Sequence, residues 1–552
     1  MLSSHHFLFS PTTLSTLLLP SLPDPTKLAW GIAGTFLLVH LLPYFLDAQR
    51  IRQYPGPFIA KFSDAWLGWV SKNGHRSEVV HRMHQKYGPI VRLAPNHVSI
   101  ADPDALSVVY AHGNGALKSG FYDAFVSIRR GVFNTRDRGE HTRKRKIISH
   151  IFSQKSVVEF EPQIRHYVNT LIKQWDRLFD MAVKGMSGPE GEGGWRGEGG
   201  RLWLDCLPWA NYLAFDIVGD LAFGGPFGML EAAKDTALVP KDPERVMESY
   251  GKEISEDQVV SLPAVKILNG RGEYSMSMGV LPWYWRPFVA QLPWYKQGQK
   301  DVQTLAGIAI MAVSKRLASP TDRVDLLSKL QEGRDNEGNP MGKEELTAEA
   351  LTLLIAGSDT TSNSTCAILY YLARHRDAQG KLHQELDEQL GVEDETIATG
   401  QQVKNLPYLD ACISEALRLH STSALGLPRV TPEGGLTIRG QHFPEGTVLS
   451  VPSYSIHRDP SVWGEDVEDF RPERWFEQDA SATQKTFNPF SVGPRACLGR
   501  NLAFMELQII IASIMRRYDI VLEDPDQPLE TREGFLRKPL ACKIGVKRRE
   551  LL

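Results

Sequence analysis

Cysteine is scarce in this chain. Five occur in 552 residues, at Cys206, Cys366, Cys412, Cys497 and Cys542, an odd number with no C-x-x-C pair. That count excludes a disulfide framework, and the spacing offers no zinc cluster; the thiols read as those of a reducing compartment. A surplus of positive charge is missing too. The 62 Lys and Arg stand against 65 Asp and Glu, for a formal charge of −3, which leaves nucleic-acid binding without electrostatic support. No internal repeat is visible, and no glycine-rich dinucleotide turn follows a strand. With 42% apolar and 23% charged residues, the composition is that of an ordinary globular protein. The length admits two domains or one large elaborated one.

Charge is also absent locally. From Leu28 to Leu46, LAWGIAGTFLLVHLLPYFL carries no Lys, Arg, Asp or Glu. At ~1.5 Å per residue a helix of that length crosses the hydrocarbon core of a bilayer. Arg50, Arg52 and Lys61 follow, and the positive-inside bias puts the bulk of the chain in the cytosol. A cleaved signal peptide and a buried soluble helix are the alternatives, but the run starts late and is long for a signal. The expectation is a single-pass anchor within residues 1–50, in the endoplasmic reticulum membrane, ahead of a cytosolic catalytic domain over residues 51–552.

Within that domain, YPGPF (Tyr54 to Phe58) reads as a rigid turn. YGPIVRLAPNHVSIADPDAL alternates like a short β-meander, and LTIRGQHFPEGTVLSVPSYSI like a later hairpin region. Most of the rest is helical. The span Glu344 to His375 is apolar all round, as befits a helix running through the middle of the fold. KGMSGPEGEGGWRGEGGR, Lys184 to Arg201, is nearly half glycine and is expected to be a mobile surface insertion. The layout is one mainly α domain with small β-sheets.

Cys497 stands in FSVGPRACLGR, among two glycines, a proline and two arginines. A nucleophile would want a nearby His, and none is close in sequence. A structural thiol would want apolar neighbours, and Arg495 and Arg500 flank it. A metal ligand suits the setting better: glycines let the backbone turn tightly and approach something flat and bulky, amides can donate to a thiolate, and arginines can meet anionic groups of a cofactor.

Phe490, Gly493, Arg495, Cys497 and Gly499 together spell F-x-x-G-x-R-x-C-x-G. This resembles the haem-binding loop of the cytochromes P-450, and the resemblance implies that fold, haem b as cofactor and Cys497 as the proximal iron ligand. Other features follow in the family's order. Glu415 and Arg418 form E-x-x-R, and FRPERW brings Arg474, which would close a Glu-Arg-Arg network behind the haem loop. AGSDTT, Ala356 to Thr361, resembles the oxygen-activation motif. A mid-helix threonine can bond back from Thr360 to Ala356, Gly357 removes a side chain where the backbone would approach the haem, and Asp359 with Thr360 resembles the proton-delivery pair. The resemblance also implies propionate contacts for His141, Arg145, Arg429 and Arg495. Arg143, Lys144, Lys146 and Arg500 would then ring the thiolate side as a basic face for an acidic electron donor, with a merely solvated charge run as the alternative.

The blocks ALKSGFYDAFVSIRRGVFNTRDRGEHTRKRK, NYLAFDIVGDLAFGGPFGML, IAGSDTTSN, HSTSALGLPR and TREGFLRKPL are similar to those of fungal benzoate para-hydroxylases within the family. That similarity implies hydroxylation of benzoate to 4-hydroxybenzoate with O2 and electrons from an NADPH–cytochrome P-450 reductase, with cytochrome b5 as a further donor. A small anionic substrate needs buried donors or a cation for its carboxylate. Tyr122, Arg129, Arg130, Ser421, Thr422 and Ser423 are the candidates, with Phe121, Phe125 and Phe535 as apolar walls that core packing explains equally well. Two other readings stay open: a monooxygenase of another small phenolic or aromatic substrate, and a haem-binding sensor or carrier without turnover.

Overall fold

The structure is a computed structural model that describes residues 24–550 apart from 320–324, 335–337, 391–396 and 478. The chain divides into two units, Met1–Ala48 and Gln49–Leu552. In the first, the helix Pro25–Leu46 starts at Asp24, whose carboxylate accepts the Thr26 amide. Most of its described residues are exposed, and by length and composition it can cross a membrane.

The second unit is organised around the long helix Lys343–Arg374, whose residues are buried on nearly every face. It packs against Cys206–Phe223, a helix whose sequence CLPWANYLAFDIVGDLAF leaves it almost no face for water. Gly357 sits at this contact: a Cβ there would come 2.6 Å from Cγ2 of Val218. The glycine expected to admit a cofactor therefore also admits the neighbouring helix. Pro407–Leu419 and Arg500–Arg517 complete the core around the long helix.

Two five-stranded sheets flank the helices. In the first, the expected meander supplies Ile90–Ala94 and His97–Ile100, followed in space by Val448–Ser450, Arg429–Val430 and Leu117–Lys118. The last two strands are antiparallel, with Lys118 directly opposite Arg429. The later hairpin region splits: Leu436–Ile438 and Gln441–Phe443 pair with each other, while Val448–Ser450 joins the larger sheet.

The second sheet overturns the expectation of a mobile insertion. Ser187–Gly188 and Trp195–Glu198 extend the sheet built on Arg201–Asp205, Lys543–Arg548 and Tyr518–Leu522. The glycines serve close approach rather than freedom: a Cβ on Gly197 would lie 1.9 Å from the carbonyl oxygen of Ala182. Trp195 is buried and its indole donates to Glu190 at 2.7 Å, which fixes the segment. The fold also gathers cysteines that are far apart in sequence. The sulfurs of Cys206, Cys366 and Cys542 lie within 4.8 Å of one another in the core, a cluster that spacing could not reveal.

Candidate active site

The Cys497 loop precedes the helix Arg500–Arg517. It is closed by the Cys497 amide, which donates to the Phe490 carbonyl at 2.9 Å. Gly493 has φ +75°, and a Cβ there would fall 1.7 Å from the carbonyl oxygen of Tyr110, so no other residue fits. The close approach it permits is to protein backbone rather than to a flat ligand. Gly499 has open space where a Cβ would be; its contribution is its amide, which donates to the Cys497 sulfur. Burial pushes the Cys497 thiol up, while that amide, Arg145 and Arg500 oppose the shift. The positive end of the following helix dipole acts in the same sense.

Cys497 opens onto a large cavity that Lys118, His141, Arg145, Arg429 and Arg495 also line. Their hydrogen bonds go to neutral acceptors. Arg145 donates to the Ala496 carbonyl at 2.9 Å, Arg495 to that of Thr135 at 2.6 Å, Arg429 to the Tyr122 hydroxyl at 3.0 Å, and Lys118 to the Phe133 carbonyl. Among the described residues none of the five has a carboxylate within ion-pairing distance. Desolvation, reinforced by the neighbouring cations, drives Lys118 well below its ordinary value, Arg495 to about 10 and His141 to about 3.

Like charges directly opposite on paired strands are destabilising, yet Lys118 faces Arg429 in that way. Arg429 also keeps Nη2 buried and without a partner. A site so built needs anions from outside the chain. The two propionates of a haem above a cysteine sulfur answer that need, and the residues present fit the group.

The roof is the long helix. Thr360 donates from Oγ1 to the Ala356 carbonyl at 2.7 Å, the back-bond expected, and Ala356, Gly357 and Thr360 all line the cavity. Asp359 lies behind this wall instead. Its carboxylate pairs with Lys538 at 3.0 Å and accepts from Asn363 at 3.0 Å. The acid and the hydroxyl are neighbours in sequence but face different environments.

Behind the loop, Glu415 accepts from Arg418 at 2.8 and 2.9 Å and from Arg474 at 2.7 Å, and all three side chains are fully buried. The arginines spend their remaining donors on carbonyls and, from Arg474, on the Asp466 carboxylate at 3.1 Å. Arg418 reaches His457 and Val467, and Arg474 reaches Trp463 and Asp466. Every charge in this network is thus paired and hydrogen-bonded, the condition under which buried ions persist.

The expected substrate contacts divide. Tyr122, Phe125, Arg129, Thr422, Ser423 and Phe535 line the cavity. Arg130 is committed to Asp123 at 2.7 Å, Ser421 turns toward the Ser423 carbonyl, and Phe121 packs behind Phe125, with ring centroids 5.1 Å apart. The basic face is also smaller than expected. Arg143 pairs with Glu140 and Glu345, and Lys144 with Glu345 and Glu349. Burial removes Lys144 from the surface, the ion pairs of the half-buried Arg143 neutralise its charge, and Lys146 and Arg500 stay exposed.

Three ionisable lining residues escaped the sequence reading: Lys118, Arg271 and Glu506. Burial raises the Glu506 carboxyl to about 8, and Thr361 is its partner at 3.2 Å. Each stands in an ordinary amphipathic or apolar stretch, so only tertiary structure reveals it.

A haem-thiolate protein is the class that this fold and site define. Residues 65–546 match the family model described as Cytochrome P450, and the chain belongs to that family. Membership brings a haem held by a cysteine thiolate, and use of dioxygen, an organic substrate and a redox partner. The chain is 48% identical to the benzoate 4-monooxygenase bphA of Aspergillus niger, over 93% of this chain and 96% of that protein. It is 31% identical to the cytochrome P450 monooxygenase atr2 of Stereocaulon alpinum, over 98% of each chain. Identity to the cytochrome P450 monooxygenase poxM of Penicillium oxalicum is 29%, over 87% of this chain and 86% of the other.

Proposed function

We propose that this chain is a membrane-anchored monooxygenase that converts benzoate to 4-hydroxybenzoate. The observation that carries the reading is the 48% identity to a benzoate 4-monooxygenase over nearly the whole of both chains. The cavity supports it: phenylalanines 125, 133 and 535 pack edge to face with centroids 5.0 to 5.9 Å apart and together form an aromatic wall against which a benzene ring can pack. In each turnover one oxygen atom of O2 is inserted into the para C–H bond of the ring, giving the hydroxyl. The other leaves as water, with two electrons from NADPH and two protons.

The haem, when bound, supplies the iron at which dioxygen is activated. The chain does the rest. Cys497 gives the iron its thiolate, and the Gly499 amide with Arg145 and Arg500 tempers the sulfur charge. Lys118, His141, Arg145, Arg429 and Arg495 hold the propionates. The Glu415, Arg418 and Arg474 network keeps the loop rigid beneath them. Thr360 presents a hydroxyl to the cavity, and Asp359, tied to Lys538 behind it, relays protons from the outer side to that hydroxyl.

Residues 1–50 serve as the anchor and residues 51–552 as the cytosolic catalytic domain, in the endoplasmic reticulum membrane. The exposed Trp69, Trp283, Phe288 and Trp294 supply the aromatic surface that suits a membrane interface. Electrons come from an NADPH–cytochrome P-450 reductase, with cytochrome b5 as a second donor, and Lys146 and Arg500 are available to acidic groups of either.

The test is turnover. Membranes holding this chain and the reductase should turn benzoate and NADPH into 4-hydroxybenzoate, and Cys497→Ser should make none. Conversion of other aromatics with benzoate untouched would replace benzoate as the substrate.

A further inference from the structure

The helix Ala264–Gly279 carries an arginine that no motif explains. Arg271 is 5% exposed and lines the same cavity as Cys497 and Thr360. Its Nη2 donates to the Phe125 carbonyl at 3.0 Å, and its guanidinium carbon lies 5.3 Å from the centre of the Phe125 ring. Nε is buried with no hydrogen-bond partner. Desolvation lowers the group to about 10, with Asp359 opposing the shift, so it stays cationic at neutral pH. Among the described residues it makes no ion pair. The oxygens of Asp359 are bound by Lys538 and Asn363.

A buried guanidinium without an anion is costly. One held beside an aromatic wall, with a donor left open, is matched to a planar carboxylate. It is also distinct from the cations around Arg429, whose hydrogen bonds lie with Tyr122 and the 427–428 backbone.

We propose that Arg271 is the subsite for the substrate's carboxylate. Phenylalanines 125, 133 and 535 hold the ring beside it, and the carboxylate accepts from the part of the guanidinium that lines the cavity. Because the para carbon is the ring atom farthest from the carboxylate, anchoring one end at Arg271 fixes which carbon points away from it. Regiochemistry then follows from orientation rather than from reactivity. This deepens the benzoate reading and rests on it only for the identity of the acid.

The experiment uses full-length haem-loaded protein, with benzoate and its neutral isostere benzamide as probes. Benzoate should shift wild-type ferric iron toward high spin. In Arg271→Gln the Kd for benzoate should rise about 100-fold, as for loss of a desolvated charge partner, while that for benzamide changes little. Arg271→Lys should fall between the two. Thermal unfolding gives a second readout. Without ligand, Arg271→Met should melt no lower than wild type, because an unpaired buried charge has gone, and benzoate should raise the melting temperature of wild type alone.

Equal benzoate affinity in wild type and Arg271→Gln, with the thiolate spectrum of the carbon monoxide complex intact, would overturn the assignment and leave the benzoate reading standing. If another aromatic carboxylate shifts wild type in an Arg271-dependent way and benzoate does not, the benzoate reading fails and the subsite stands. If no carboxylate shifts wild type, both fail.

Discussion

The backbone amide of Asn488 donates to Nε2 of His457 at 3.1 Å. On the other side of the ring, Nδ1 lies 3.2 Å from the carbonyl oxygen of Arg418. A donor on one flank and an acceptor on the other fix the tautomer, with the proton on Nδ1. Burial, then Arg418 and Arg458, lower the ring's pKa to about 3, so it is neutral at any pH the folded protein meets. His457 therefore couples the Glu415 network to the strand of chain that leads into the Cys497 loop.

Replacing His457 with Phe should loosen the haem without touching it. Two buried backbone groups lose their partner, at about 1–3 kcal/mol each. Haem retained after dialysis, read from the carbon monoxide difference spectrum, should fall well below wild type. His457→Gln, which offers both a donor and an acceptor, should recover part of the loss. Wild-type retention in His457→Phe would show that the coupling carries no load.

Glu415 is the more severe case. Glu415→Gln leaves the fully buried Arg418 as a cation without a counter-charge, and leaves Arg474 with only the partly exposed Asp466 at 3.1 Å, which costs about 3–5 kcal/mol. Denaturant unfolding of the purified protein should show that loss. A change below about 1 kcal/mol would mean that the carbonyls around the arginines suffice.

Thr360 faces the cavity and Asp359 does not, so the two should differ on mutation. Thr360→Ala should lower product formed per NADPH consumed several-fold while the benzoate spin shift stays as in wild type. Thr360→Ser should keep most of the coupling, since it keeps the hydroxyl. Asp359→Asn should slow turnover with less effect on the product ratio, because the relay lies behind the wall. Steady-state NADPH and product measurements check each ratio, and equal ratios for all three variants would remove both residues from the proton path.

What the sequence made legible was local chemistry. The i, i+3 pair of Glu415 and Arg418 and the Thr360 back-bond to Ala356 are written in nearby residues, and the structure has both in the stated geometry; the Cys497 loop is as tight as its glycines suggest, though Gly493 makes room for the Tyr110 backbone. The misreadings came from residues whose role is set across the fold. Lys144 looks like part of a basic surface until Glu345 and Glu349 fold onto it. The glycines of 184–201 look flexible until the neighbouring strand and the Ala182 backbone close on them. Arg271 lies in a helix with no motif at all. An apolar run marked the long helix of Glu344 to His375, but a cavity is made by the convergence of distant elements, and its lining cannot be read from any one of them.

Glu506 offers a test of the cavity floor. Its carboxyl, ordinarily at 4.5, is raised to about 8 by burial, against the opposing hydrogen bond that Thr361 donates to it. The folded state thus binds a proton that the unfolded state has released between those values. Stability from this group is full below about 4.5, declines as pH rises through the window and is gone above about 8, with a slope near 1.4 kcal/mol per pH unit. Glu506→Gln keeps the shape and cannot ionise. Melting temperatures recorded from pH 6 to pH 9 should therefore fall more steeply for wild type than for Glu506→Gln, and the variant should be the more stable protein at the alkaline end. Parallel curves would mean that water or a second donor reaches the carboxylate and holds its pKa in the ordinary range.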